Sequence, residues 1–203
     1  MDAIHQILCL GDSYTVGEGL PLFESFPYQL MLQLRNMQVP CNAPEIVAKT
    51  GWTSFELAEY LMHHFFQKKY DLVTLLIGVN NQYRYLNIKE FEDDYALLLQ
   101  KAIQFAGNQP NSVIAISIPD WGYTPFAQQH HTSNIEKIHT TINQYNSICA
   151  KYCKKIGVSF IDISPFTNQE LSTSFYTSDG LHYSGKMYQQ WVLELLKVIQ
   201  KKL

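Results

Sequence analysis

The 203-residue sequence predicts an α/β fold: a three-layer α/β/α sandwich around a mainly parallel five-stranded sheet. Two observations point there. Five short aliphatic, β-branched runs recur along the chain, each bounded by Gly, Pro, Asn or Asp, as suits strands buried on both faces. Between them lie longer segments with apolar residues at three- and four-residue spacing, the pattern of helices covering such a sheet. No repeat, low-complexity tract or Gly/Ser/Pro linker interrupts the alternation, so residues 1–203 read as one domain.

The strand candidates are IHQILCL (4–10), PEIVAKT (44–50), DLVTLLIGV (71–79), NSVIAISIP (111–119) and the shorter GVSFIDI (157–163). Helical spacing covers Phe26 to Met37 and Ser54 to Gln67. FEDDYALLLQKAIQFAG ends at Gly107 and TSNIEKIHTTINQYNSICAKYCKKIG at Gly157, glycines that suit helix C-caps. The last helix starts near Ser184 and finishes on lysines, favourable at a helix C-terminus. In parallel sheets, ligands sit beyond the carboxyl ends of the strands. Ser13, Gly51, Asn80 and Asp120 each follow a strand candidate closely.

Bulk properties exclude several functions. A net charge of −3 provides no basic field for nucleic acid or anionic lipid. Hydrophobic residues at 46% and charged residues at 16% indicate a packed globular chain. The N-terminal apolar run is too short to span a bilayer and lacks the basic start of an export signal, so a cytoplasmic location is the expectation. Cys9, Cys41, Cys149 and Cys153 form no metal-type CxxC pair and read as buried free thiols.

Ser13 lies in Gly11-Asp12-Ser13, a tripeptide that chance produces in roughly one chain of this length in twenty, so its partners must decide its role. In TSDGLH, Asp179 precedes His182 by three residues, with Gly180 allowing a tight turn. That spacing lets the carboxylate hold one ring nitrogen and leave the other free to take a proton, the orienter and base of a triad. Gly51, in KTGWTS, can present a backbone N–H with no side chain in the way. Asn80, in IGVNNQ, can aim its carboxamide at developing negative charge.

Taken together, GDSYTVGEG, TGWTS, LLIGVNNQ and DGLH resemble the SGNH (GDSL-type) serine hydrolase family, in order and over nearly the whole chain. The resemblance implies a flavodoxin-like fold with Ser13 as nucleophile, His182 as general base and Asp179 as its orienter. It implies an oxyanion hole from the N–H groups of Ser13 and Gly51 and the Asn80 side chain, with no metal or organic cofactor. The third block commonly reads Gly-x-Asn-Asp, and Asn81 stands here in the last position; Tyr14 replaces the usual Leu after the serine.

The expected activity is hydrolysis of carboxylic esters with small or medium acyl chains, with lysophospholipids and thioesters inside the same chemistry. Carbohydrate O-acetyl esters are the alternative substrate, and a non-catalytic binding protein on this fold is the rival of another class. Candidate substrate contacts are Asp12 and Asn81, beside the nucleophile and the oxyanion donor, and the aromatic residues Trp52, Trp121, Tyr123 and Phe126. The last three lie in PDWGYTPFAQQHHTS (119–133), which reads either as a loop packed over the core or as acyl-chain lining. Tyr83, Arg84 and Tyr85 could share that cleft. Asp120 and Asp162 read as turn or structural residues, His63-His64 as straddling a buried and an exposed face. His130-His131 lacks a companion ligand for metal.

Overall fold

The computed structural model describes residues 4–66, 69–169 and 171–199. Five strands form one sheet: β1 (Ile7–Gly11), β2 (Glu45–Ala48), β3 (Leu72–Leu76), β4 (Val113–Ile116) and β5 (Ser159–Ile161). The order is β2-β1-β3-β4-β5 and every neighbouring pair is parallel. β1, β3 and β4 are buried along their whole length, whereas the edge strands β2 and β5 are only partly buried. Unbroken apolar runs are therefore clearest in the central strands, which lack a solvent face.

Helices α2 (Phe26–Asn36) and α9 (Gly185–Ile199) pack against each other on one face of the sheet. α3 (Ser54–His63), α5 (Ile88–Phe105) and α7 (Ile135–Ile156) pack side by side on the other. That distribution follows from right-handed crossovers: β1 to β2 moves one way across the sheet, and every later connection moves back. α3 starts with a capping box in which Thr53 and Glu56 satisfy each other's backbone N–H groups. α7 ends at Gly157, left-handed at φ 78°, as its sequence position suggests. α5 stops at Phe105, and Gly107, left-handed at φ 65°, follows the C-cap residue Ala106 as its sequence position suggests. α3 ends at His63, short of the expected Gln67, which lies outside the described residues, as do the terminal lysines Lys201 and Lys202.

All four cysteines are free and buried. Burial pushes the Cys9 thiol up to about 12 and Cys153 to about 11, so both stay protonated and behave as apolar core groups. Among the described residues, no helix is long and apolar enough to cross a membrane.

Strand order reverses at β1, which has β2 on one side and β3 on the other. A crevice opens at such a switch point, beyond the carboxyl ends of β1 and β3.

Candidate active site

The switch point is where Ser13 lies. β1 runs into Asp12, whose extended backbone ends the strand and whose Oδ1 caps the Tyr14 N–H at 3.0 Å. A single-turn helix, α1 (Ser13–Val16), follows and stops at left-handed Gly17. Ser13 is its first residue, so its own N–H has no intrahelical acceptor and remains free for another partner. Gly11 is required for the approach, because a Cβ there would strike the Thr15 hydroxyl and the Leu76 carbonyl.

The segment before α9 supplies the next two groups. Thr177 N–H donates to the His182 carbonyl at 2.8 Å, closing a tight loop around Gly180. Within it, Asp179 Oδ2 lies 2.6 Å from His182 Nδ1, and His182 Nε2 lies 2.9 Å from Ser13 Oγ. An ionised carboxylate only accepts, so Nδ1 carries the proton and the neutral ring offers Nε2 as acceptor to the serine hydroxyl. Oδ1 accepts from Thr177 Oγ1 at 2.7 Å, Leu181 N–H at 2.8 Å and His182 N–H at 3.0 Å. Partial burial would raise the Asp179 pKa, but the bonds from His182, Leu181 and Thr177 outweigh it and hold the carboxyl well below its ordinary value. The Tyr14 ring packs 5.5 Å from the imidazole.

Gly51 and Asn80 face the same cleft. Gly51 is left-handed at φ 85°, and the Arg84 guanidinium donates to its carbonyl at 2.5 Å. Asn80 lies on the short helix α4 (Val79–Tyr83), and its Nδ2 donates to the Trp52 carbonyl at 2.9 Å. One amide hydrogen is thereby fixed, leaving the second to point elsewhere.

The family model for the GDSL-like lipase/acylhydrolase family matches residues 9–190. The chain belongs to that family. No curated protein matches its sequence. Its fold is shared with TesA, at 14% identity and a TM-score of 0.75 over 98% of this chain and 99% of the other. It is also shared with the acetyl xylan esterase AlAXEase, at 16% identity and 0.73 over 96% and 99%. The psychrotrophic esterase EstA from Pseudoalteromonas sp., inhibited by monoethylphosphonate, is similar at 17% identity and 0.70 over 97% of both chains.

The family's third block ends differently in this chain, and the packing explains how the exchange is accommodated. Asn81 is buried, with Oδ1 accepting from Ser54 N–H at 2.9 Å and Nδ2 donating to Ser54 Oγ at 2.7 Å. Ser54 Oγ donates onward to Asp94 Oδ2 at 2.7 Å. An aspartate at 81 would make two carboxylates compete for one hydroxyl hydrogen; the asparagine supplies the missing donor. Asn81 therefore ties α4 to the start of α3 and does not line the cleft.

Other expected substrate contacts also lie elsewhere. Asp12 is fully buried, and burial raises its pKa to about 7 against the pull of the Tyr14 and Gly78 N–H groups. It caps a helix and lines no cleft. Trp52 packs on Tyr60 in a groove along α3. Tyr123 lies over His139 with ring centroids 4.2 Å apart. Phe126 lines a separate hollow with Tyr176 and Thr177, on the far side of Asp179. Only Trp121 of the aromatic candidates reaches the cleft beside Ser13, where it joins Tyr83.

Segment 119–133 is not an irregular loop. A 3₁₀ turn (Trp121–Tyr123) and the helix α6 (Pro125–His130) aim successive side chains in different directions. Asp120 caps Gly122 and pairs with His139, and Asp162 accepts from Ser117 and Ser164, so both hold turns. His130 and His131 pack on Phe126, and no group of three or more metal-ligating side chains exists among the described residues. His63 and His64 are both exposed, because α3 ends between them and His64 turns back to stack on Tyr60.

The sequence reading missed Val79, Leu181 and Thr50 as cleft walls and Gln82 as an anchor. A signal existed for the first: Val79 and Tyr83 are four apart, one face of a helix, where the segment reads as a strand end and turn.

Proposed function

We propose that this protein is a serine hydrolase that cleaves carboxylic esters of small or medium acyl chains through an acyl-enzyme. The observation that carries the reading is the chain of contacts Asp179–His182–Ser13, at 2.6 and 2.9 Å, opening onto a cleft of about 210 Å³.

In the proposed reaction Ser13 Oγ attacks the ester carbonyl carbon while its proton passes to His182 Nε2. The carbonyl electron pair moves onto oxygen, and the oxyanion is held by the N–H groups of Ser13 and Gly51 and by Asn80 Nδ2. Collapse breaks the bond to the alkoxy oxygen, which takes the proton from His182 and leaves as the alcohol. Water then repeats the sequence on the acyl-enzyme, releasing the acid and restoring Ser13. Asp179 keeps the imidazole in the productive tautomer and stabilises its charged form throughout. The groups named suffice for every proton and electron pair, and no cofactor enters the scheme.

Carbohydrate O-acetyl ester cleavage is the second reading. It is favoured by the small cleft and by the fold shared with an acetyl xylan esterase. Lysophospholipid and thioester substrates fit the same chemistry with larger groups.

The test is covalent. An organophosphonate probe should add to Ser13, and p-nitrophenyl acetate should be turned over by the native protein and not by Ser13→Ala. Labelling of another serine, or undiminished turnover in Ser13→Ala, would overturn the assignment. Turnover of no ester at all would favour the binding-protein rival.

A further inference from the structure

We propose that Trp121, locked in place by Gln82, is the floor that restricts the acyl group to short chains; this rests on the esterase reading above. The cleft holds about 210 Å³. That is below the roughly 300–1,000 Å³ of clefts that enclose drug-sized ligands. A slot of that size suits a short acyl group.

The direction of the acyl group follows from the layers. His182 precedes α9 and approaches from the α2–α9 side, whereas Trp121 and Tyr83 lie against α7 on the opposite side. The leaving oxygen must meet Nε2 to be protonated, so the alcohol lies toward His182. The acyl carbons then run the other way, toward the two aromatic rings.

Trp121 is only 2% exposed although it borders the cleft, so it forms the end of the slot and not its rim. Several contacts hold the ring. Its Nε1 donates to Gln82 Oε1 at 2.6 Å, and Gln82 is itself buried. Tyr83 meets it edge-on at 5.3 Å and His131 at 5.1 Å. The preceding residue, Asp120, is clamped by Gly122 N–H and by His139. Swinging the indole aside would strand a buried N–H and a buried carboxamide oxygen, which makes the floor rigid. Gln82 is a positioning residue: it lies two residues after Asn80 and touches no substrate.

A chain one methylene too long for an apolar slot loses about 10-fold or more in kcat/KM. The experiment is a p-nitrophenyl ester series from acetate to decanoate. The native protein should prefer acetate and butyrate over octanoate by at least about 10-fold, and Trp121→Ala should raise the octanoate-to-butyrate ratio by at least about 10-fold. Gln82→Met should raise that ratio in part, by freeing the indole. Trp121→Phe should keep the short-chain preference, and adding Gln82→Met to it should change nothing, because phenyl needs no acceptor. If Trp121→Ala does not fold, Trp121→Leu and Gln82→Met carry the same test.

Octanoate turnover equal to butyrate in the native protein, or an unchanged ratio in folded Trp121 variants, overturns the proposal. A second readout separates its failure from that of the esterase reading. In Ser13→Ala, where turnover is irrelevant, butyrate should raise the melting temperature more than octanoate does, and Trp121→Ala should reverse that order. A native protein that cleaves no ester sinks the esterase reading, while the carboxylate comparison still judges the floor.

Discussion

Two Asp–His pairs stand near the carboxyl edge of the sheet with almost the same geometry. Asp179 Oδ2 is 2.6 Å from His182 Nδ1, and Asp120 Oδ2 is 2.7 Å from His139 Nδ1. Their surroundings are opposite. The Asp179 side chain is 44% exposed, accepts three further hydrogen bonds, and is held well below its ordinary pKa. The Asp120 side chain is 1% exposed, and burial raises its pKa even though His139 and Gly122 N–H pull against it. His182 turns its second nitrogen to a serine hydroxyl, whereas the His139 ring lies between Tyr123 and Gly122. An Asp–His contact is therefore not enough to mark a base. What matters is what the far nitrogen faces: a serine hydroxyl at His182, and no such hydroxyl among the contacts of His139.

The largest expected break in that comparison is kinetic. Asp179→Asn should lower kcat on the order of 10⁴-fold by presenting the wrong tautomer to Ser13. His139→Ala should leave kcat for acetate esters within a few-fold. Steady-state kinetics on folded protein checks both, and an equal loss in the two variants would dissolve the distinction.

A smaller effect extends the contrast to two neighbouring asparagines. Asn80 faces the cleft and Asn81 faces Ser54. Asn80→Ala should lose on the order of 10²–10³ in kcat with little change in KM, because the charge it meets exists only in the transition state. Asn81→Ala should lose far less activity and more stability. If Asn81→Ala is the kinetically crippled variant, the oxyanion donor has been assigned to the wrong residue.

The structural pair should register in unfolding. His139→Ala leaves a buried Asp120 oxygen without its partner, at about 1–3 kcal/mol. Urea denaturation should report that loss, and stability equal to the native protein would mean water replaces the imidazole freely.

The subtlest difference is the sign of the pH dependence. Asp120 is raised, so its contribution is full below its unfolded value and is lost as pH rises through the folded one. Asp179 is depressed, so its contribution is present above its unfolded value and lost as pH falls through the folded one. Melting curves across pH should show Asp120→Asn removing a loss that sets in as pH rises above the ordinary carboxylate value, and Asp179→Asn removing one in strong acid. Parallel curves for both variants would contradict the opposite environments.

The five strands were legible because parallel strands buried on both faces must be apolar without interruption, and Gly, Pro, Asn and Asp mark their ends. Helix ends were less so: α3 stops at His63 although apolar spacing continues to Phe66, since periodicity carries no term for where packing runs out. Residues 119–133 were the hardest. Trp121, Tyr123 and Phe126 look equivalent in sequence, but a 3₁₀ turn followed by α6 sends one to the cleft, one to His139 and one to a separate hollow.

By itself, the sequence determined the layers, the strand ends and which residues stand there: Ser13 after β1, Gly51 after β2, Asn80 after β3, and Asp179 three before His182. Those depend on local spacing and on residue chemistry, which are written along the chain. Tertiary structure alone decided which Asp–His pair meets a hydroxyl, why Asn81 suits a site beside Asp94, and that Gln82 fixes Trp121. Each of those is a contact between groups 27 to 169 residues apart or the burial of a charge, and neither exists until the layers close.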